Sequence, residues 1–212
     1  MLWLHQKLRF FLFFIVFVNQ SFSQPATQDS QTYKNFITTL GNNIIGILVD
    51  KKAPLTERKE KFRQVLRDYF DIPEIGKFVL ARYWRRATDQ QKIEYLVLFE
   101  NAIVDNYAAQ FDNYQNEMLE VQNVREDSDQ GVLVMSIIKR QTGAPPLKID
   151  WKIFQTKRGL RVYDIIINGV SMSITQRSEY GGIISQNGGQ IEGLLKLMRE
   201  GKSPTFTAQK NG

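Results

Sequence analysis

The sequence predicts an α+β fold in which a curved four-stranded antiparallel sheet is wrapped by helices. Three observations carry that prediction. Apolar residues recur at helical spacing from about residue 32 to residue 111, the period changes to two between residues 118 and 167, and helical spacing returns from residue 171. Helices first, a run of hairpin-connected strands next and helices again describe elements that segregate rather than alternate, which is the α+β signature.

Taken in order, residues 24–31 are polar and read as a flexible lead-in. Residues 32–49 place Phe36, Ile37, Leu40, Ile44, Ile45 and Leu48 on one stripe, with Gly41 and Gly46 as points where a bend is expected. Thr56 is positioned to cap a second helix over residues 57–69, whose Phe62, Val65, Leu66 and Tyr69 face inward and whose charges form a solvated face. Pro73 suits the first turn of a short helix that ends near Tyr83 and Trp84. The run Thr88-Asp89-Gln90-Gln91 is a capping box that opens a long helix to about Phe111. That helix is apolar over more than half its girth, so it is buried on two sides or lines a cavity.

Strands are expected over residues 118–125, 132–140, 147–155 and 160–167, separated by turn-rich segments of hairpin length. The third alternates: Leu147, Ile149, Trp151 and Ile153 on one face, Lys148, Asp150 and Lys152 on the other. One apolar face and one wet face is the pattern of a sheet covered by helices on a single side. Residues 161–180 organise the rest, with an apolar strand around Asp164, an Asn168-Gly169 turn, and a helix from Ser171 that folds back over the sheet. A last helix is expected over residues 191–200, with a disordered tail at 202–212.

Composition narrows the chemistry. His5, Lys7 and Arg9 precede an unbroken apolar run, residues 10–18, too short to span a bilayer, and Ser21-Phe22-Ser23 follows with small residues where a signal peptidase reads. Residues 1–23 are therefore read as a secretory signal, with an uncleaved anchor as the alternative, and residues 24–201 as one domain. The net charge of +6 falls to +4 without Lys7 and Arg9, a mild excess that does not suggest nucleic-acid binding. Cysteine is absent, and the single histidine, His5, leaves with the signal. What remains has no Ser-His-Asp triad, no Cys-His pair and no His-ligated zinc site, so no metal site is expected.

Three segments together resemble the MlaC, or toluene-tolerance, family: FDIPEIGKFVLARYWRRATDQQK from Phe70, PPLKIDW from Pro145, and YDIIINGVSMSITQRSEY from Tyr163. The resemblance covers roughly residues 31–200. It implies a nuclear-transport-factor-like sheet with a small helical subdomain, and a phospholipid held by its tails between sheet and helices in the periplasm of a Gram-negative bacterium. The partners it implies, met transiently, are an outer-membrane lipoprotein complex and an inner-membrane ABC transporter with a substrate-binding ring. No cofactor is expected; the lipid is cargo.

Physical chemistry makes that role coherent. A diacyl lipid carries about thirty methylenes at about 0.8 kcal/mol each, so bringing it bare into water costs on the order of 20 kcal/mol. The expected tail pocket is lined by Phe78, Val79, Tyr83, Val97, Ile103, Val104 and Tyr107 from the helices, and by Val134, Ile149, Trp151, Ile165 and Ile167 from the strands. The same residues also describe an ordinary filled core. Arg82, Arg85 and Lys148 are candidates for head-group or partner contact, or else ordinary helix-end and turn residues, and the neutral Ala144 weakens docking through the hairpin tip. Asp164 is the acid that suggests enzyme chemistry, an isomerase or dehydratase working with Tyr163; the alternative is that it accepts backbone hydrogen bonds beside the turn. A carrier of another lipid, such as a hopanoid, and a structural envelope adaptor complete the readings, and the carrier is expected to catalyse nothing.

Overall fold

The structure, a computed structural model, describes residues 26–127, 131–141 and 144–204. The expected signal, residues 1–23, lies outside the described residues, as does most of the expected tail. Of that tail, residues 202–204 are described, and the Lys202 amide donates to the Leu197 carbonyl at 2.9 Å, closing the last helix.

Among the described residues, six α-helices and five strands follow in the order α1 (Ala26–Val49), α2 (Leu55–Tyr69), α3 (Ile72–Leu80), α4 (Asp89–Ala108), β1 (Met118–Glu126), β2 (Val132–Lys139), β3 (Leu147–Thr156), β4 (Gly159–Ile167), β5 (Val170–Ser171), α5 (Met172–Gln186) and α6 (Glu192–Arg199). The α+β class holds. α1 absorbs most of the expected lead-in and runs through Gly41 and Gly46 as one element. α2 begins two residues earlier than Thr56 would set it: Pro54 is the cap residue, and its carbonyl accepts the Arg58 amide at 3.1 Å. The Thr88–Gln91 capping box is present in both directions, at 3.1 and 3.2 Å. α3 stops at Leu80 because Ala81 turns to φ 51°, and a short 3-10 turn, Ala81–Tyr83, follows. α4 likewise ends at Ala108, with a 3-10 turn at Phe111–Asn113.

The sheet is antiparallel throughout in the order β1-β2-β3-β4-β5. The fifth strand is the difference from the expected four. Asn168 (φ 49°) and Gly169 (φ 85°) make a two-residue turn with both central residues left-handed, the geometry that closes a tight hairpin, so Val170 pairs with Ile167.

Two irregularities set which side chains face the helices. On β1, Val121 pairs with Ser136 but Val124 pairs with Val134, leaving two residues opposite one. On β4, Asp164 pairs with Lys152 and Val162 with Ile153, so Tyr163 is an inserted residue. This bulge reverses strand parity and puts Val162 on the same side as Ile165 and Ile167.

Helices α1, α2, α3 and α5 pack against the sheet, and α4 and α6 form a layer beyond them. The core lies between these layers around Tyr95, Phe99, Tyr180, Leu194 and Leu195. Tyr95 donates its hydroxyl to the Gly76 carbonyl at 3.1 Å, where a side-chain carbon on Gly76 would lie 2.9 Å from Leu96. The α2–α3 junction is stitched to β4 by the Asp71 amide, which donates to the Val162 carbonyl at 3.2 Å.

Candidate functional site

The helix-covered face of the sheet is not filled at one end. A cavity of about 490 Å³ opens between the sheet and the helices. α1 supplies Gly41, Ile44, Ile45 and Leu48, α2 Phe62 and Leu66, and α3 Ile72, Ile75 and Val79. Ile103 and Tyr107 come from the last turns of α4, and Leu119, Ile138, Leu147, Ile149, Trp151, Ile165 and Ile167 from the strands. The wall is almost wholly hydrocarbon. Its polar members cluster at the rim where β1 begins and β2 ends (Gln110, Asn113, Tyr114, Glu117 and Arg140), apart from Tyr107 on α4, Tyr163 and Asp164 on β4, and Ser173 at the start of α5.

Of the residues expected to line a tail pocket, Val79, Ile103, Tyr107, Ile149, Trp151, Ile165 and Ile167 stand on this wall. The other five do not. Val104 and Val134 are fully buried in the packed core, and Tyr83 is buried with its hydroxyl accepting from Arg82 at 2.9 Å. Phe78 (43% exposed) and Val97 (58% exposed) point outward. Phe78 lies under the Arg177 guanidinium at 5.1 Å, and Val97 borders a separate surface groove with Arg63 and Arg67. The physical reason is one of angle. An apolar arc wider than a helix's buried stripe identifies residues that leave water or sit at its edge, but not which neighbour they meet. Arg82, Arg85 and Lys148 are also off the wall.

The sequence reading missed the α1 contribution and the ends of β1, β2 and β3. Ile44, Ile45 and Leu48 carried a signal, an apolar stripe widened by the adjacent pair Ile44-Ile45, but nothing in it separated core from cavity.

The polar groups beneath the wall are satisfied internally. Trp151 donates its indole N–H to Ser136 Oγ at 2.9 Å, and Ser136 in turn donates to the Ile149 carbonyl at 2.8 Å. Asp164 accepts three hydrogen bonds: from its neighbour's amide at Ile165 (2.9 Å), from the Ser173 amide (3.0 Å) and from the Ser171 hydroxyl (2.5 Å). Tyr163 donates to Asp71 at 3.1 Å, and Arg158 pairs with the other oxygen of Asp71 at 3.1 Å. Burial, with Asp71 beside it, raises the Tyr163 hydroxyl above its ordinary range, and burial alone raises Tyr107. Both phenols are therefore neutral at physiological pH. Asp164 and Tyr163 do not form an acid–base pair; each is committed to the scaffold.

Such a site solvates hydrocarbon. At roughly 25 Å³ per carbon, the allowance by which benzene fills a cavity of about 150 Å³, the space takes about 20 carbons in this conformation. No helix among the described residues is long and apolar enough to cross a membrane.

Fold and site together define a class: α+β proteins whose helices and single antiparallel sheet enclose an open, apolar, chain-sized cavity. Within it, the chain belongs to the MlaC family, whose model, described as MlaC protein, matches residues 38–200. A relative from Haemophilus influenzae, described as the intermembrane phospholipid transport system binding protein MlaC, is 24% identical over 144 residues, which span 66% of this chain and 66% of that protein, just under two thirds of its length. A solved structure described as the phospholipid-binding protein from Ralstonia solanacearum in complex with a phospholipid shares the fold, with a TM-score of 0.68 at 21% identity, covering 80% of this chain and 96% of that one.

Proposed function

We propose that this protein is a periplasmic phospholipid carrier, exported by a cleaved signal at residues 1–23, that holds acyl chains in the apolar cavity and moves lipid between complexes of the outer and inner membranes. Such transfer serves to maintain outer-membrane lipid asymmetry. The observation that carries the reading is the cavity itself, about 490 Å³ of space walled by aliphatic and aromatic side chains where a folded core would ordinarily be packed solid. Apolar walls of this extent are poorly matched to water, which gains little from them, and well matched to hydrocarbon, which gains dispersion contacts and burial. A bound acyl chain supplies both.

Family membership and the phospholipid named for both relatives point the same way. The commitment of Asp164 to three hydrogen bonds within the scaffold supports a binding role over a catalytic one. The partners, an outer-membrane lipoprotein complex and an inner-membrane ABC transporter, supply the direction of transport, because a passive cavity releases cargo down whatever gradient it meets.

The test is lipid extraction. Protein purified from the periplasm of a Gram-negative host is expected to release phospholipid on organic extraction, identified by mass spectrometry. Protein that carries none, and takes none from phosphatidylcholine vesicles, overturns the reading; a hopanoid in the extract redirects it to another cargo.

A further inference from the structure

Given the carrier reading above, we infer that Arg140 is the contact for the phosphate of the bound lipid. A phospholipid whose tails enter the cavity must leave its charged phosphate at the mouth, because burying an ionised group among hydrocarbon is prohibitive. The mouth is the rim described above, and its polar groups are not equally free. Asn113 donates its side-chain amide to Gln110 at 3.1 Å. Tyr114 donates to the Glu117 carbonyl at 3.0 Å, and the Glu117 carboxylate accepts the Gln115 amide at 2.8 Å. Asp164, the other carboxylate on the wall, already accepts from three donors.

Arg140 differs from all of these. It stands on the cavity wall, one residue past the end of β2, and is exposed. Among the described residues its guanidinium makes no hydrogen bond or ion pair. Its neighbour Lys139 is held by Glu120 across the β1–β2 ladder, so Arg140 is the cation of this strand end left to act outward. A guanidinium offers parallel N–H donors at the spacing of two phosphate oxygens. On the wall of an oily cavity, that fork takes hold of the head group once the tails are inside. The tails supply the affinity, and Arg140 adds discrimination for lipids that carry phosphate.

The experiment compares wild type, Arg140→Ala, Arg140→Glu and Lys148→Ala, the last being a cation at the same end of the sheet but off the wall. Each is freed of lipid and equilibrated with vesicles containing either dioleoyl phosphatidylcholine or dioleoylglycerol, which share tails and differ by the phosphate head group. Lipid retained per protein is measured after separation. Arg140→Ala is expected to lower phosphatidylcholine retention about three- to tenfold, the range of one charge-assisted contact at a partly solvated site, and Arg140→Glu to lower it further. Dioleoylglycerol retention is expected to stay unchanged in both, and Lys148→Ala to match wild type with either lipid.

Undiminished phosphatidylcholine retention in Arg140→Ala overturns the assignment. So does an equal fall for both lipids, which marks a structural role, or an equal fall in Lys148→Ala, which marks a general charge effect. Arg140-dependent binding of inorganic phosphate to the lipid-free protein would assign the contact to free anion instead of lipid. Wild type that retains neither lipid overturns the carrier reading, and this assignment with it.

Discussion

Ser171 donates its hydroxyl to Asp164 at 2.5 Å while the same oxygen accepts the Ile174 amide at 3.1 Å. A side chain of β4 thereby orients the cap of α5, and the cap satisfies an amide that the helix itself leaves open. Asp164 accepts the Ser173 amide as well, so the carboxylate holds the strand, the turn and the first turn of the helix together. The acid that most suggested chemistry in the sequence is a joint on the cavity wall.

Replacing Asp164 by Ala leaves two amides and a hydroxyl without their acceptor. The expected loss is about 1–3 kcal/mol, read as a lower urea midpoint. Asp164→Asn keeps one carbonyl oxygen for the amides and is expected to lose less. Equal stability of Asp164→Ala and wild type would contradict the joint.

Cavity wall and core should separate in a paired experiment. Ile103→Trp, placed on the wall, is expected to fill space that a lipid would take, lowering co-purified lipid while stability changes by under about 1.5 kcal/mol. Phe99→Ala, buried in the core against Tyr95 and Tyr180, is expected to cost about 3–5 kcal/mol. A severe loss of stability in Ile103→Trp would show that the wall is packed after all.

Arg58 is 3% exposed, and its guanidinium donates to the Ile47 and Leu48 carbonyls, at 3.1 and 3.3 Å, and to Asp112 at 2.8 Å. It thus holds the end of α1 to the turn at Phe111–Asn113, both of which border the cavity. Arg58→Ala is expected to cost about 1.5–3 kcal/mol and to speed amide exchange in the last turn of α1, measurable by hydrogen exchange. Arg58→Lys, lacking the fork, should recover only part.

Glu100 provides a pH test. Burial pushes its carboxyl up, but hydrogen bonds from Arg67 (2.8 Å) and Arg63 (2.7 Å) outweigh that and hold it below the usual glutamate value. A pKa lowered on folding contributes stability that is present above the unfolded value, near about 4.3, and is lost as pH falls through the folded value. The urea midpoint of wild type should therefore fall on acidification below about pH 4.3 more steeply than that of Glu100→Gln. Parallel profiles would remove Glu100 from the acid response.

Much of the fold was legible because its signals are local. Capping at Thr88, the turn at Asn168-Gly169 and the alternation of Leu147, Ile149, Trp151 and Ile153 each depend on residues within a few positions of one another. The third strand was read correctly for that reason, and Ile149 and Trp151 stand on the cavity wall with it. The miss at Val134 arose differently: it faces the helices beside Trp151 on the neighbouring strand, but at a depth where the layers close up. Phe78 and Val97 were misplaced because an apolar residue on a helix looks the same whether it meets a cavity, a core or solvent.

By itself, then, the sequence determined the order and type of the elements other than the short fifth strand, the absence of histidine and cysteine beyond residue 23, and the family likeness, since all of these are properties of short stretches or of composition. Tertiary structure alone decided that the interior is hollow at one end and packed at the other, that an inserted Tyr163 brings Val162 to the side of Ile165, and that Arg140 stands on the cavity wall with no partner for its guanidinium among the described residues. Those facts depend on how far apart the sheet and helices are held, and that separation is set by contacts between residues remote along the chain.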